Sequence, residues 1–236
     1  MTITSPTNPH LKEIRKLGSA TARAKTGRFV IEGEDLYEAA SAAGREPLYV
    51  LCAPGLGRGR ARFLEASSAV LSQASRLGSG TRLLGVYEQA WGEAVGPLAV
   101  ALWGVGDPGN VGTIVRASRA FGGSAVAFGP GCADPHSPKA VRASMGAIFA
   151  TPLARFTSVD DLPGEVVGLA PGTYPPLRGP LRNITLLVGG ERDGLPDDVL
   201  AACDRVCSIP QAAGDSLNAA MAATVALYEA TRMAAQ

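Results

Sequence analysis

Three stretches of this 236-residue chain combine residue types that can do chemistry. The first is Asp107-Pro108-Gly109-Asn110-Val111-Gly112-Thr113-Ile114-Val115-Arg116. Gly112 lets another group approach the backbone closely, and Arg116, one turn on, offers a planar fork suited to phosphate or ribose oxygens. An ordinary surface arginine is the plain alternative, weakened by the apolar neighbours Ile114, Val115 and Ala117. The second stretch is Leu187-Val188-Gly189-Gly190-Glu191-Arg192-Asp193-Gly194-Leu195-Pro196, a hydrophobic strand ending in two glycines and an acid. A ligand lying at that strand end would meet bare backbone, and ligands of open α/β sheets sit at such ends. A plain strand–turn–helix link explains it equally well. The third is Ile209-Pro210-Gln211 followed by Asp215-Ser216-Leu217-Asn218 and the small residues Ala219, Ala220, Ala222 and Ala223. Here Leu217, Met221, Val225 and Tyr228, with Thr224 and Leu227 beside them, mark one helical stripe expected to be buried, with Asp215 or Ser216 as its N-cap. Alone, this stretch needs no more than a capped amphipathic helix.

The elements that must position these stretches alternate. Strands are expected at Leu98–Trp103, Ser124–Phe128, Val166–Ala170, Thr185–Gly189 and Arg205–Ile209, and helices at Asn110–Phe121, Lys139–Phe149 and Pro196–Ala202 and over the C-terminus. Continuous apolar strands alternating with helices imply an α/β domain with a parallel sheet covered on both faces. Upstream, a short basic helix over Asn8–Leu17, a polar link Gly18–Gly27, strands Arg28–Glu32 and Pro47–Cys52 and a helix Leu36–Ala43 form a smaller α/β module. Gly92, Gly96 and Pro97 break periodicity, which places domains at residues 1–90 and 98–236 with a linker at 91–97.

Composition narrows the class. Hydrophobic residues make up 46% and charged ones 18%, enough for a substantial core. No apolar run reaches membrane-spanning length, Met1–His10 lacks the apolar core of a signal peptide, and four scattered cysteines do not make a disulfide framework. The expectation is a reduced, cytoplasmic protein. Cys203 and Cys207 have no second pair and the histidines are only His10 and His136, so no metal site is expected. The net charge of +1 hides an asymmetry: residues 1–96 carry 12 Lys+Arg against 9 Asp+Glu, residues 97–236 carry 10 against 12. A basic front end suits a polyanion, with Lys12, Arg15, Lys16, Arg23, Lys25, Arg28 and the turn Arg58–Arg62 as candidate phosphate contacts.

Gly104-Val105-Gly106-Asp107-Pro108-Gly109 spells a dinucleotide-binding fingerprint in letters. The next strand ends in Gly129-Pro130-Gly131 without the acid a ribose would need, and Pro108 removes an amide donor. That reading, a dinucleotide-dependent oxidoreductase, is kept only as a rival that cofactor binding would decide.

Taken together, Asn110-x-Gly112-x3-Arg116, Gly189-x-Glu191-x2-Gly194-Leu195 and Ile209-Pro210 … Ser216-Leu217-Asn218 resemble the three signature motifs of the SpoU (TrmH-like) RNA ribose 2′-O-methyltransferases of the SPOUT superfamily, in order and spacing. Ser137–Phe149 is similar to the family's segment between the first two motifs, and Phe29-Val30-Ile31-Glu32-Gly33 to the start of its N-terminal substrate-binding domain. The chain departs from the pattern at Arg192, Gln211 and Ala219, of which Gln211 would alter the cofactor pocket's lining.

The resemblance implies a small L30e-like substrate-binding domain ahead of a SPOUT domain with a C-terminal trefoil knot. It implies S-adenosyl-L-methionine as methyl donor and no metal. Gly189, Gly190, Ile209, Leu217 and Ser216 would hold the cofactor, and Arg116, Asn218, Asn110, Ser216 and Glu191 would serve the reaction. It further implies a homodimer whose sites combine motifs from two protomers, and structured RNA as substrate. The separate N-terminal domain favours ribosomal over transfer RNA; a non-catalytic RNA-binding protein on the same fold is the other alternative.

Overall fold

The computed structural model describes residues 2–75, 80–212 and 217–232. The N-terminal half comprises α1 (Pro9–Lys16), α2 (Ala20–Thr26), β1 (Arg28–Glu32), α3 (Glu34–Ala42), β2 (Tyr49–Cys52), β3 (Phe63–Glu65), α4 (Ser68–Ala74) and β4 (Leu83–Glu88). Its sheet runs β1-β4-β2-β3, with β4 antiparallel to both neighbours and β2 parallel to β3. The stretch 18–27 is not a link but contains α2. Ser19 caps it by accepting from the Ala22 N–H, and Gly27 ends it in the left-handed region.

The C-terminal half comprises β5 (Leu98–Trp103), α5 (Pro108–Ala120), β6 (Ala125–Phe128), α6 (Pro138–Ala143), α7 (Ala147–Ala150), β7 (Leu153–Arg155), β8 (Glu165–Leu169), β9 (Ile184–Gly189), α8 (Asp197–Ala202), β10 (Arg205–Cys207) and α9 (Ala219–Thr231). Its six strands are all parallel in the order β10-β8-β9-β5-β6-β7. Val100, Ala101, Leu186 and Leu187 are fully buried, as a sheet covered on both faces requires. The chain steps outward from β5 to β7, crosses back, and lays β9 against the other side of β5. The loops after β8, β9 and β10 therefore meet at one end of the sheet, beside the reversal of strand order where α/β proteins place their ligands.

The helix expected over 139–149 is broken in two. Met145 and Gly146 both sit at positive φ (47° and 85°), which ends α6 and restarts the chain as α7. β7 had no separate sequence signal; it pairs with β6 and, through Ala154, bridges Gly92.

The C-terminal helix buries a different face from the expected one. Met221, Val225 and Tyr228 are 63%, 42% and 55% exposed, whereas Ala219, Ala220, Ala223, Ala226, Leu227 and Ala230 are buried. The small side chains let α9 lie close against α5 and β9. Its last turn is tied to the segment 177–181: the Leu181 N–H donates to the Ala230 carbonyl (2.8 Å) and the Gly179 N–H to Glu229 Oε1 (3.1 Å).

The two sheets share one core. Phe29 of β1 stands 4.8 Å, ring to ring, from His136 and 6.0 Å from Phe149. Buried Arg23 donates to Asp134 Oδ2 (2.7 Å) and to the carbonyls of Leu17 and Gly18. Arg23 is thus a fastener between the halves rather than an RNA contact. Lys12, Arg15, Lys16 and Lys25 remain exposed. The segment 91–97 is also anchored: the Gly92 N–H donates to the Leu153 carbonyl, and Trp91 lies under the Arg155 guanidinium, 4.1 Å from its ring centre.

Candidate active site

A cavity of about 330 Å³ opens at the C-terminal ends of β8, β9 and β10. Its lining brings together Gly189 and Gly190 after β9, Ile209 after β10, and Leu217 just before α9. Glu191 and Gln211 also face it. Leu169, Val188, Leu195 and Leu200 supply apolar surface, the balance that a bound nucleoside requires: hydrophobic walls with a few polar groups. Ser216, expected in both the cofactor and the catalytic sets, lies outside the described residues, as does Asp215.

The loop after β9 explains its glycines. It folds back so that Gly190 and Gly194 pair, the Gly194 N–H donating to the Gly190 carbonyl (3.1 Å). A Cβ at Gly189 would strike the backbone of Gly194, and one at Gly190 the carbonyl of Gly104. These positions are bare because backbone meets backbone, and the cavity forms along the resulting tongue. Gly104 itself is packed against this tongue, its carbonyl occupying the space a Cβ at Gly190 would take. Asp107 caps α5 by accepting from the Asn110 N–H (3.0 Å) and takes the Lys139 ammonium at 2.6 Å, which holds its carboxyl below the usual range.

At the rim, three segments distant in sequence join by hydrogen bonds. The Asn218 amide donates to Asn110 Oδ1 (3.2 Å), and the Asn110 amide donates in turn to Glu191 Oε1. Asn218 Oδ1 accepts from the N–H groups of Ala220 (2.9 Å) and Met221 (3.3 Å), so Asn218, not Asp215 or Ser216, is the N-cap of α9. Among the described residues the Asn218 amide donates to Asn110 alone.

Arg116 stands apart from this chain. It lies six residues beyond Asn110 on α5, about 9 Å along the axis and roughly 120° around it. It is exposed and lines no wall of the cavity. Gly112, on nearly the same side of α5, faces α6: a Cβ there would collide with the Ala140 carbonyl oxygen and the Ala143 methyl. The close approach anticipated at Gly112 is therefore that of a helix, not a ligand.

Sequence reasoning missed Leu169, Ala170, Pro171 and Tyr174, which close the cavity beyond β8. The signal was available, since Ala170-Pro171-Gly172 follows a buried strand at the same sheet end.

Residues 97–228 match the SpoU rRNA Methylase family, and residues 8–87 match the MRM3-like substrate binding domain. The chain belongs to the SpoU rRNA methylase family. An uncharacterized tRNA/rRNA methyltransferase of Synechocystis sp. is 30% identical over 98% of this chain and 93% of its own length. The 23S rRNA (guanosine(2553)-2′-O)-methyltransferase RlmP of Bacillus subtilis is 29% identical, covering 96% of this chain and 97% of that protein. The crystal structure of an AdoMet-bound rRNA methyltransferase from Sinorhizobium meliloti superposes with a TM-score of 0.86 at 31% identity, covering 98% of this chain and 97% of that one. The SpoU match spans the six-stranded parallel sheet, and the substrate-binding-domain match the four-stranded one. Among the described residues no group of His, Cys, Asp and Glu could hold a metal ion, and no helix is long and apolar enough to cross a membrane.

Proposed function

We propose that this SpoU-family methyltransferase uses S-adenosyl-L-methionine to methylate a ribose 2′-hydroxyl in structured RNA, ribosomal in preference to transfer RNA. The observation that carries the reading is the meeting of Gly189, Ile209 and Leu217 around one cavity, with the Asn110–Glu191–Asn218 chain beside it. The 23S rRNA activity of RlmP and the cofactor-bound Sinorhizobium structure support the substrate and the donor. The cofactor supplies an electrophilic sulfonium methyl.

The protein's part is orientation and electrostatics. Glycine backbone and the Ile209 and Leu217 main chain hold the adenosine moiety. Asn218, fixed by its cap and by Asn110, presents its remaining amide hydrogen to the target ribose. Arg116 grips the target phosphate and stabilises the developing alkoxide rather than acting as a base, because its guanidinium carries only N–H donors and no acceptor.

Because Arg116 lines no wall of its own chain's cavity, the reading includes a homodimer in which one protomer's Arg116 serves its partner's pocket. The exposed Met221, Val225 and Tyr228 stripe, with Phe121 6.2 Å from Tyr228 ring to ring, supplies an apolar face for that contact. Residues 1–90 would bind RNA, 91–97 would link, and 98–236 would form the SPOUT domain with its C-terminal knot. No metal is required, and the enzyme would act in the cytoplasm. Transfer of tritiated methyl groups to ribosomal and transfer RNA, followed by mapping of the modified nucleotide, tests the reading. Calorimetry showing no binding of S-adenosylmethionine to the wild-type protein would overturn it in favour of a non-catalytic RNA-binding role.

A further inference from the structure

A second cavity lies in the N-terminal half, between α3 and the turn that leads into β3, far from the cofactor loops in sequence. It measures about 710 Å³ and is open to solvent. Tyr37 and Phe63 form its aromatic floor, edge to face at 87° with ring centres 5.4 Å apart. The guanidinium of exposed Arg60 reaches over both rings, 5.3 Å from the Phe63 centre and 5.8 Å from that of Tyr37. Aromatic faces beside a planar cation are the surface on which unpaired bases stack.

The rim carries two carboxylates beside Arg60. Glu38 and Glu46 both line the cavity, and Glu46, with its side chain 75% exposed, has the Arg62 guanidinium 3.8 Å away. Carboxylates repel phosphate, so the cavity suits the edge of a base better than the sugar–phosphate backbone. A carboxylate pairs in bidentate fashion with two adjacent N–H donors. Among the four bases only guanine carries such a pair, at N1 and N2.

The cavity's position fits an RNA that also reaches the catalytic helix. Ala39 of α3 abuts Gly146 at the joint between α6 and α7, and α7 packs on α5, which carries Arg116.

We propose that this cavity captures an unpaired guanine of the substrate RNA, stacked among Tyr37, Phe63 and Arg60 and read at its edge by Glu38 and Glu46. The proposal rests on the RNA reading above, and it is a specificity site rather than a catalytic one.

The test uses the full-length protein and two single-stranded RNA hexamers, one all adenosine and one with a single guanosine, in fluorescence anisotropy. Wild type should bind the guanosine hexamer about tenfold more tightly, the discrimination one bidentate edge contact supplies. The double variant Glu38→Gln/Glu46→Gln should lose that preference. Arg60→Ala and Arg60→Lys should each weaken binding about tenfold, because lysine keeps the charge but not the stacking plane. In methyl transfer Arg60→Ala should raise KM and leave kcat unchanged, with its thermal midpoint at the wild-type value. No preference in wild type, or wild-type binding restored by Arg60→Lys, would overturn the proposal, the latter by showing a simple phosphate contact. A wild type that prefers guanosine yet transfers no methyl group would uphold this site and sink the methyltransferase reading alone.

Discussion

The side chains of Asn110 and Asn218, 108 residues apart, meet through a 3.2 Å hydrogen bond while Asn218 also caps α9. One residue thus starts the last helix and aims a polar group at the rim of the cavity. These two duties separate by mutation. Asn218→Asp keeps an oxygen for the cap but loses the amide donor. It should hold stability within about 0.5 kcal/mol of wild type and lower kcat at least tenfold. Asn218→Ala should lose about 1 kcal/mol as well. Urea unfolding alongside single-turnover methyl transfer distinguishes the two.

Arg116 is exposed, so Arg116→Ala should change stability by no more than about 0.5 kcal/mol. Methyl transfer should fall about a hundredfold or more. If one protomer's arginine serves the other's pocket, co-expressing Arg116→Ala with Asn218→Asp should regain part of the activity, because a mixed dimer then contains one intact site. No recovery in mixed dimers isolated by two affinity tags would assign Arg116 to its own chain's site.

The apolar stripe of α9 gives the oligomer test. Val225→Asp should leave far-ultraviolet circular dichroism unchanged, since Val225 is 42% exposed in the single chain. Sedimentation velocity should show a dimer for wild type and a monomer for the variant.

Gly112→Ala probes packing between α5 and α6. The obstructing atom is the Ala140 carbonyl oxygen, part of a helix backbone that cannot rotate aside. The expected cost is about 2–3 kcal/mol, read as a lower urea midpoint. Binding of S-adenosylmethionine should persist at temperatures where the variant is folded.

The Arg23–Asp134 pair supplies a pH dependence. Burial alone would raise the Asp134 pKa, but the His136 ring, the Arg23 guanidinium and the His136 backbone N–H outweigh it and hold the carboxyl at about 2. A carboxylate depressed from an unfolded value of about 3.9 stabilises the fold above that pH, and the stabilisation is lost as pH falls through about 2. Arg23→Met should therefore destabilise the protein by roughly 2–3 kcal/mol at pH 7 and flatten the fall in stability between pH 4 and pH 2. Equilibrium unfolding at pH 7, 4 and 3 checks both.

The sequence by itself determined five of the six parallel strands and the content of the three loops. Buried strands are written as runs such as Leu98–Trp103, and Gly189–Gly190, Glu191 and Asn218 stand in an order that a resemblance can read. Local signals were also present for α2, in Ser19 and Gly27, but the polar run between them masked the helix.

Tertiary structure alone decided which face of each helix is covered. Leu217, Met221, Val225 and Tyr228 carry the larger apolar stripe of the final helix, yet the alanine face packs, because only small side chains let α9 approach α5 closely. The same physics reassigned Gly112 to a helix crossing and Arg23 to the joint between the two sheets. Hydrophobic periodicity states how much apolar surface a segment has; which surface finds a partner depends on the distance between backbones, and that distance exists only after the chain has folded.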